Sequence, residues 1–173
     1  MKWRKRIPYI VLILAAAGFA FYKFVIEKSA NENKSGVAVE GYTAFDFQKQ
    51  GELSFTDADG KFVSRIDIEV ADDEAKRNQG MMYRSKMEES QGMFFVFPAE
   101  GYQSFWMKNT VLPLDIIFVN SKMEIVRIHK NTTPFSEQSY ASFTPAQYVV
   151  EVIGGYCDKM GIEAGNKIVW RRN

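Results

Sequence analysis

The chain has 173 residues with 46% hydrophobic and 25% charged content, enough apolar material for one packed domain and too much for wholesale disorder. The formal net charge of +1 hides a split: Lys2, Arg4, Lys5, Arg6 and Lys23 fall in the first 26 residues, leaving 17 basic against 21 acidic residues beyond them. A net-acidic remainder is ill suited to gripping phosphate backbones, so nucleic acid is excluded as a partner. One cysteine (Cys157) and one histidine (His129) rule out an intrachain disulfide and a Cys/His zinc centre of ordinary ligand count, and neither a metal nor a cofactor is expected.

Residues 1–6 form a basic tail and residues 7–26 an apolar run interrupted only by Lys23, whose head group can snorkel. About 20 helical residues span the hydrocarbon core, Tyr9 and Tyr22 lie near its ends, and the basic tail stays inside. The expectation is a single-pass anchor in the cell membrane with the N-terminus cytoplasmic and the domain extracytoplasmic (periplasmic where the cell has two membranes). The other reading is a cleaved signal sequence, for which Ala15-Ala16-Ala17 offers a small-residue site. Both export the domain. Residues 27–50 read as a polar linker with a short docking segment at Tyr42 to Phe47, long enough to hold the domain tens of ångströms from the bilayer when extended.

From Gly51 to the C-terminus strand signals dominate. GELSFTD alternates, Asp59-Gly60 marks a turn, and FVSRIDIEV places Phe62, Ser64, Ile66, Ile68 and Val70 on one face of a regular strand. Asp72-Asp73-Glu74 supplies an N-cap and acidic first turn, AKRNQ continues as helix, and Gly80 suits the C′ position. Short apolar runs follow at 93–97, 103–108, 116–120, 124–130, 147–153 and 167–170, with a second short helix at 156–160 ending at Gly161. The fold class expected is mainly β: a compact antiparallel β-sandwich or barrel-like domain over 51–173 with one or two short helices, preceded by the transmembrane helix.

Four stretches carry a family resemblance: GMMYRSKM (80–87), GMFFVFP (92–98), SFWMKNTVLPLDIIFVN (104–120) and YVVEVIGGYCDKMGIEAGNKI (148–168). They resemble the DUF192 (UPF0127) family, whose pattern runs GLM-x-R, GM-x-F-x-F, FWM-x-NT-x-x-PLD-x-x-F, then E-x-x-x-G and G-I-x-x-G-D. Met81 stands where the family has Leu and Asn166 where it has Asp. The resemblance covers roughly residues 60–170 and implies a β-sandwich-type domain; it implies no mechanism, because the family's activity is not established.

Asp115 sits before an apolar run where an unpaired carboxylate is costly to bury. Arg84, Lys108, Asn109 and Thr110 are its expected partners. The group is either a polar staple fixing the loop after Trp106 or, with those residues, the lining of a pocket. Glu151, between Val150 and Val152, shares a strand face with Val149 and Ile153; it is either exposed or Arg-paired, or joins Asp115 for acid/base work or cation binding. Phe105-Trp106-Met107 divide between core and a ligand surface. The leading expectation is a non-enzymatic accessory module that binds a small molecule, a glycan or an envelope protein through Arg84, Trp106, Met107, Lys108, Asn109, Thr110 and Asp115. The alternative is a hydrolase or lyase using Asp115 with Lys108, Asn109 or Glu151. The remaining methionines and Cys157 read as core, and His129 as surface.

Overall fold

The computed structural model describes residues 47–173. The expected basic tail, the 7–26 anchor and most of the linker lie outside the described residues. Among the described residues no helix is long and apolar enough to cross a membrane.

Among the described residues nine strands and two short helices follow in order: β1 (Gly51–Thr56), β2 (Phe62–Ala71), α1 (Glu74–Gln79), β3 (Gln91–Gly101), β4 (Ser104–Phe105), β5 (Leu114–Val119), β6 (Ile125–His129), β7 (Tyr140–Ala141), β8 (Ala146–Ile153), α2 (Tyr156–Met160) and β9 (Lys167–Arg172). Seven strands form one sheet in the order β6-β5-β8-β3-β2-β1-β9, and β4 pairs with β7 in a two-stranded ribbon. The sheet curls until its two edges nearly meet. Glu124 bridges Lys167, and the Ile125 and Ile168 amides donate to Asn166 and Met123 carbonyls, short of a closed barrel.

Two features differ from the expected antiparallel sandwich. There is one large sheet plus a ribbon rather than two packed sheets, and β2 and β3 run parallel. A parallel pair needs a crossover between its strands. Here α1 and the 80–90 connection supply it. Hydrophobic periodicity cannot distinguish parallel from antiparallel pairing, so this detail was invisible in the sequence.

Local signals for the helices are fulfilled. Asp73 caps α1 by accepting from the Lys76 amide, and Gly80, at φ 48°, closes it by donating to the Lys76 carbonyl. α2 ends at Gly161 in the left-handed region. In β2, Ser64, Ile66, Ile68 and Val70 turn inward as the alternation requires, whereas Phe62 at the strand's end is exposed.

The sheet buries both faces. The concave face packs Leu53, Phe55, Ile66, Ile68, Phe94, Ile117, Val150 and Val152 against Tyr156, Cys157 and Ile162 of the α2 segment. The other face packs Phe95, Leu114, Ile116, Phe118 and Val149 under Met81, Met107 and Tyr140. His129, expected at the surface, is half-buried and bonds through Nε2 to the Ala141 carbonyl, joining β6 to the ribbon.

Gly92 lies where β3 meets both neighbours. A Cβ there would stand 2.8 Å from Ile66 Cδ1 and 2.9 Å from the Glu151 carbonyl oxygen. Gly92→Ala is therefore expected to destabilise the domain by about 1–3 kcal/mol, read as a lower urea midpoint at unchanged m-value.

Candidate functional site

The two carboxylates singled out in the sequence occupy opposite faces of the sheet. Cross-strand partners share a face; Asp115 pairs with Val152 and Ile116 pairs with Glu151. Val152 belongs to the concave core and Ile116 to the other. An Asp115–Glu151 pair for acid/base work or cation binding is thus not assembled.

Asp115 has no solvent exposure. Its Oδ1 accepts from the amides of Asn131 (2.8 Å) and Gly155 (3.1 Å), and its Oδ2 from Cys157 (2.8 Å). These backbone amides stand in place of the side-chain donors expected from Arg84, Lys108, Asn109 and Thr110. Gly155 is the N-cap of α2 and has no side chain with which to cap it, so Asp115 performs that task from β5. Next to it Thr132 clasps the same strand: its amide and hydroxyl both donate to the Leu114 carbonyl, each at 2.8 Å. Asp115 is a staple between β5, the 130–132 connection and α2. Buried beside that carboxylate, the Cys157 thiol is pushed well above its ordinary range, first by desolvation and then by the Asp115 charge, so it remains protonated and unreactive at neutral pH.

Glu151 meets the opposite fate. It is 4% exposed, and Oε2 is hidden from water with no hydrogen-bond partner among the described residues. Desolvation raises its pKa to about 8, against the opposing charge of Arg84. The carboxyl is therefore mainly protonated at neutral pH. The expected exposed or Arg-paired Glu does not occur: the Arg84 guanidinium instead forms a two-point ion pair with buried Glu69, Nη1 to Oε1 at 3.0 Å and Nη2 to Oε2. Glu69 also accepts the Gln48 amide, tying the start of the domain to the same group. The register places Glu69, Met93, Glu151 and Ile116 in one row across β2, β3, β8 and β5.

Glu151 borders a cleft of about 390 Å³ between the sheet and two overlying segments, the α1–Met82 turn and the start of the FWMKNT loop. Its walls are Met81, Phe95, Phe97 and Phe105; Trp106, Gln103 and Arg77 stand around it. Phe105 meets Phe95 edge-on at 5.0 Å between centroids, which fixes the wall against the sheet. Gly80 adjoins the carboxyl: a Cβ there would lie 3.3 Å from Phe95 Cζ and 3.7 Å from Glu151 Oε2. The turn and the loop are locked together at one end. The Tyr83 amide donates to the Asn109 carbonyl (2.8 Å), and Asn109 Nδ2 donates to the Tyr83 hydroxyl (2.7 Å). Both residues have positive φ, 63° and 56°, a cost that the clasp offsets.

Of the candidate site residues named from sequence, the cleft brings together Phe105, Trp106, Thr110 and Glu151. Arg84 borders a second cavity of about 290 Å³ on the other side of Met81, with Glu69 and Phe47. Met107 is core, its sulfur 3.1 Å from the Thr132 hydroxyl. Lys108 turns outward over the Trp106 ring at 5.1 Å and pairs with Glu137. A hydrolase or lyase constellation of Asp115 with Lys108, Asn109 or Glu151 is not present. Sequence reasoning missed Glu69 and the walls Phe95 and Phe97. The signal existed, since Met93, Phe95 and Phe97 alternate along β3 and so share the Glu151 face.

The family comparison agrees with the fold. The DUF192 model, described as "Uncharacterized ACR, COG1430", matches residues 54–170. The chain belongs to the DUF192 family. A UPF0127 protein of Pyrococcus furiosus is 29% identical over 113 residues, covering 62% of this chain and 90% of that protein. A Sinorhizobium meliloti 1021 crystal structure, described as a candidate transcription regulator, superposes with a TM-score of 0.67 at 33% identity, covering 75% of this chain and 98% of that one. A Novosphingobium aromaticivorans protein of unknown function gives 0.65 at 32% identity, with 69% and 84% covered. In this DUF192 member the Asn166 departure is structurally quiet: its Oδ1 accepts the Glu163 amide at 3.1 Å, which needs an acceptor and no negative charge.

The opposite environments of the two carboxylates give opposite expectations. Asp115→Ala orphans three amides and should cost at least about 3 kcal/mol of unfolding free energy. Glu151 has a folded-state pKa raised by burial from the ordinary 4.5 of a glutamate to about 8, so the folded protein binds the extra proton and this group's contribution to stability falls as pH rises through that window. Glu151→Gln should therefore gain stability relative to the unsubstituted protein by ~1.4 kcal/mol per pH unit across the window, checked by urea titrations from pH 4 to 9.

Proposed function

We propose that this DUF192 domain is a binding module held outside the cytoplasm by its N-terminal apolar segment, and that the cleft beside Glu151 takes a small ligand. The observation that carries the ligand reading is a buried carboxyl whose Oε2 has no hydrogen-bond partner among the described residues, on a residue bordering an aromatic-walled cleft. A buried polar group left unsatisfied costs about 1–3 kcal/mol, and ligand sites combine apolar walls with a few such polar groups. The cleft volume of about 390 Å³ suits a molecule of modest size. Among the described residues no nucleophile–base pair lines the cleft beside Glu151, which favours binding over catalysis.

The address is proposed from the sequence: a basic tail followed by 20 positions of nearly unbroken apolar character, with basic residues retained inside. A linker then gives the module reach. The face used differs from one centred on Asp115, since that carboxylate is enclosed by backbone, and Trp106 and Thr110 contribute alongside the α1 turn.

Two measurements test the proposal. Protease added to cells whose outer envelope layers are opened but whose cytoplasmic membrane is intact should remove the domain while leaving cytoplasmic markers whole; protection would sink the export reading. The uncharged fluorophore N-phenyl-1-naphthylamine should bind the protein at a single class of site and lose that site in Ser104→Trp, which fills the cleft from its border. Unchanged binding by a variant of unchanged melting temperature would remove the cleft from consideration.

A further inference from the structure

Three of the seven large hydrophobic residues exposed among the described residues, Tyr83, Trp106 and Phe135, gather around one loop. The 106–110 segment is its spine. On one side the Tyr83 amide donates to the Asn109 carbonyl (2.8 Å). On the other, the Phe135 amide donates to the Thr110 carbonyl (3.1 Å) and the Met107 amide to the Ser136 carbonyl (2.9 Å). The three aromatic residues stay 42%, 48% and 52% exposed, so folding leaves about half of each uncovered. Tyr83 and Phe135 also hold φ of 63° and 58°, a left-handed backbone that bulky residues rarely adopt and that asparagine adopts with ease. A strained backbone that displays large rings to water costs the isolated domain stability, and such costs collect at functional surfaces.

We propose that Tyr83, Trp106 and Phe135 seat the domain on a zwitterionic phospholipid surface, with their rings at the boundary between head groups and acyl chains. Trp and Tyr settle at that boundary because their rings are apolar while the indole N–H and the phenol O–H keep polar partners. Lys108 lies 5.1 Å over the Trp106 ring, where its stem covers apolar surface while the ammonium stays among head groups. The charges point to neutral lipid. Lys108 is balanced by Glu137 at 3.4 Å and Lys86, on the segment that carries Tyr83, by Glu88 at 2.7 Å. The surface therefore lacks the cluster of unmatched basic residues that draws a protein to anionic lipid. The tether keeps this partner at hand. The described chain begins at Phe47, which lines a cavity with Arg84 and Lys86 of the Tyr83 segment, and residues 27–46 separate it from the apolar run. Those residues span about 70 Å at full stretch, so an anchored domain stays close to a bilayer and a few rings suffice to hold it there.

This inference rests on the membrane-anchor reading above, and its test separates the two. The full-length, isotope-labelled protein is reconstituted in phosphatidylcholine nanodiscs, some of whose lipid carries a nitroxide near the head of one acyl chain. The added relaxation at the Tyr83, Trp106 and Phe135 amides is expected to be at least about fivefold that at Phe62 and Val169, exposed apolar residues outside the patch. Trp106→Ser and Phe135→Asn should each bring the enhancement down towards the level of those control amides. Because asparagine suits a φ of 58°, Phe135→Asn should do so with its melting temperature unchanged or raised. A lowered melting temperature would assign the ring to holding the loop and overturn its place at the lipid. Equal enhancement at patch and control amides would show a domain tumbling freely on its tether, overturning the inference while keeping the anchor. Seating that appears only when phosphatidylglycerol is added would overturn it in favour of electrostatic attraction. Shifts at the same amides that grow with protein concentration in detergent, without nitroxide enhancement in the discs, would overturn it in favour of a second copy of the chain. Protein that fails to co-elute with the discs would overturn the anchor reading itself.

Discussion

The central strands of this domain are covered on both faces, and most of its chemistry follows from that constraint. All six residues of β5 are buried, as are the four residues of β8 from Val149 to Val152 that pair with it. Any polar side chain on these strands leaves water when the chain folds. It then has three outcomes: bond to backbone, pair with an opposite charge, or give up its own charge. Asp115 shows the first, Glu69 with Arg84 the second, and Glu151 the third.

These outcomes separate structure from site. Asp115 gathers three amides and replaces a cap that Gly155 cannot supply, so its bonding capacity is spent on holding α2 and the 130–132 connection to β5. Breaking the staple would loosen the concave core, because Tyr156 and Cys157 enter that core from α2. Glu151 has no equivalent bonds, although it lies one residue along the adjoining ladder. The difference is topological. The concave face is closed by a helix whose amides point at the strand, while the other face at Glu151 is covered by a turn and a loop that enclose a cleft.

Much of the fold was legible because local signals do not depend on long-range pairing. Asp73, Gly80 and Gly161 punctuate the helices through caps and left-handed turns, and alternation in β2 predicts its inward residues. The parallel β2–β3 pair and the small β4–β7 ribbon were not legible, since neither leaves a periodic trace in a short segment. At the site, the sequence showed that Asp115 and Glu151 were anomalous among apolar neighbours. It did not show that they face opposite ways, because that depends on the register between β5 and β8. Glu69 was overlooked for a related reason. It alternates out of the apolar set in β2 and so reads as solvent-facing, which holds only where a sheet has one wet face.

The family resemblance takes on physical content once its motif residues are placed. Gly92 permits close packing of three strands, Met107 fills the core beneath Thr132, and Asp115 fastens β5 to α2. These motif positions account for the fold and leave Phe105, Trp106 and Glu151 at the cleft, together with the Gly80 turn. The same FWMKNT segment thus contributes a wall through Phe105, a border through Trp106 and a core plug through Met107. Because the plug is anchored through Thr132 to Leu114, next to Asp115, the staple on one face and the cleft on the other share β5 as their support. A domain built this way can vary its cleft-lining side chains without touching the staple, provided the sheet beneath them stays buried on both faces.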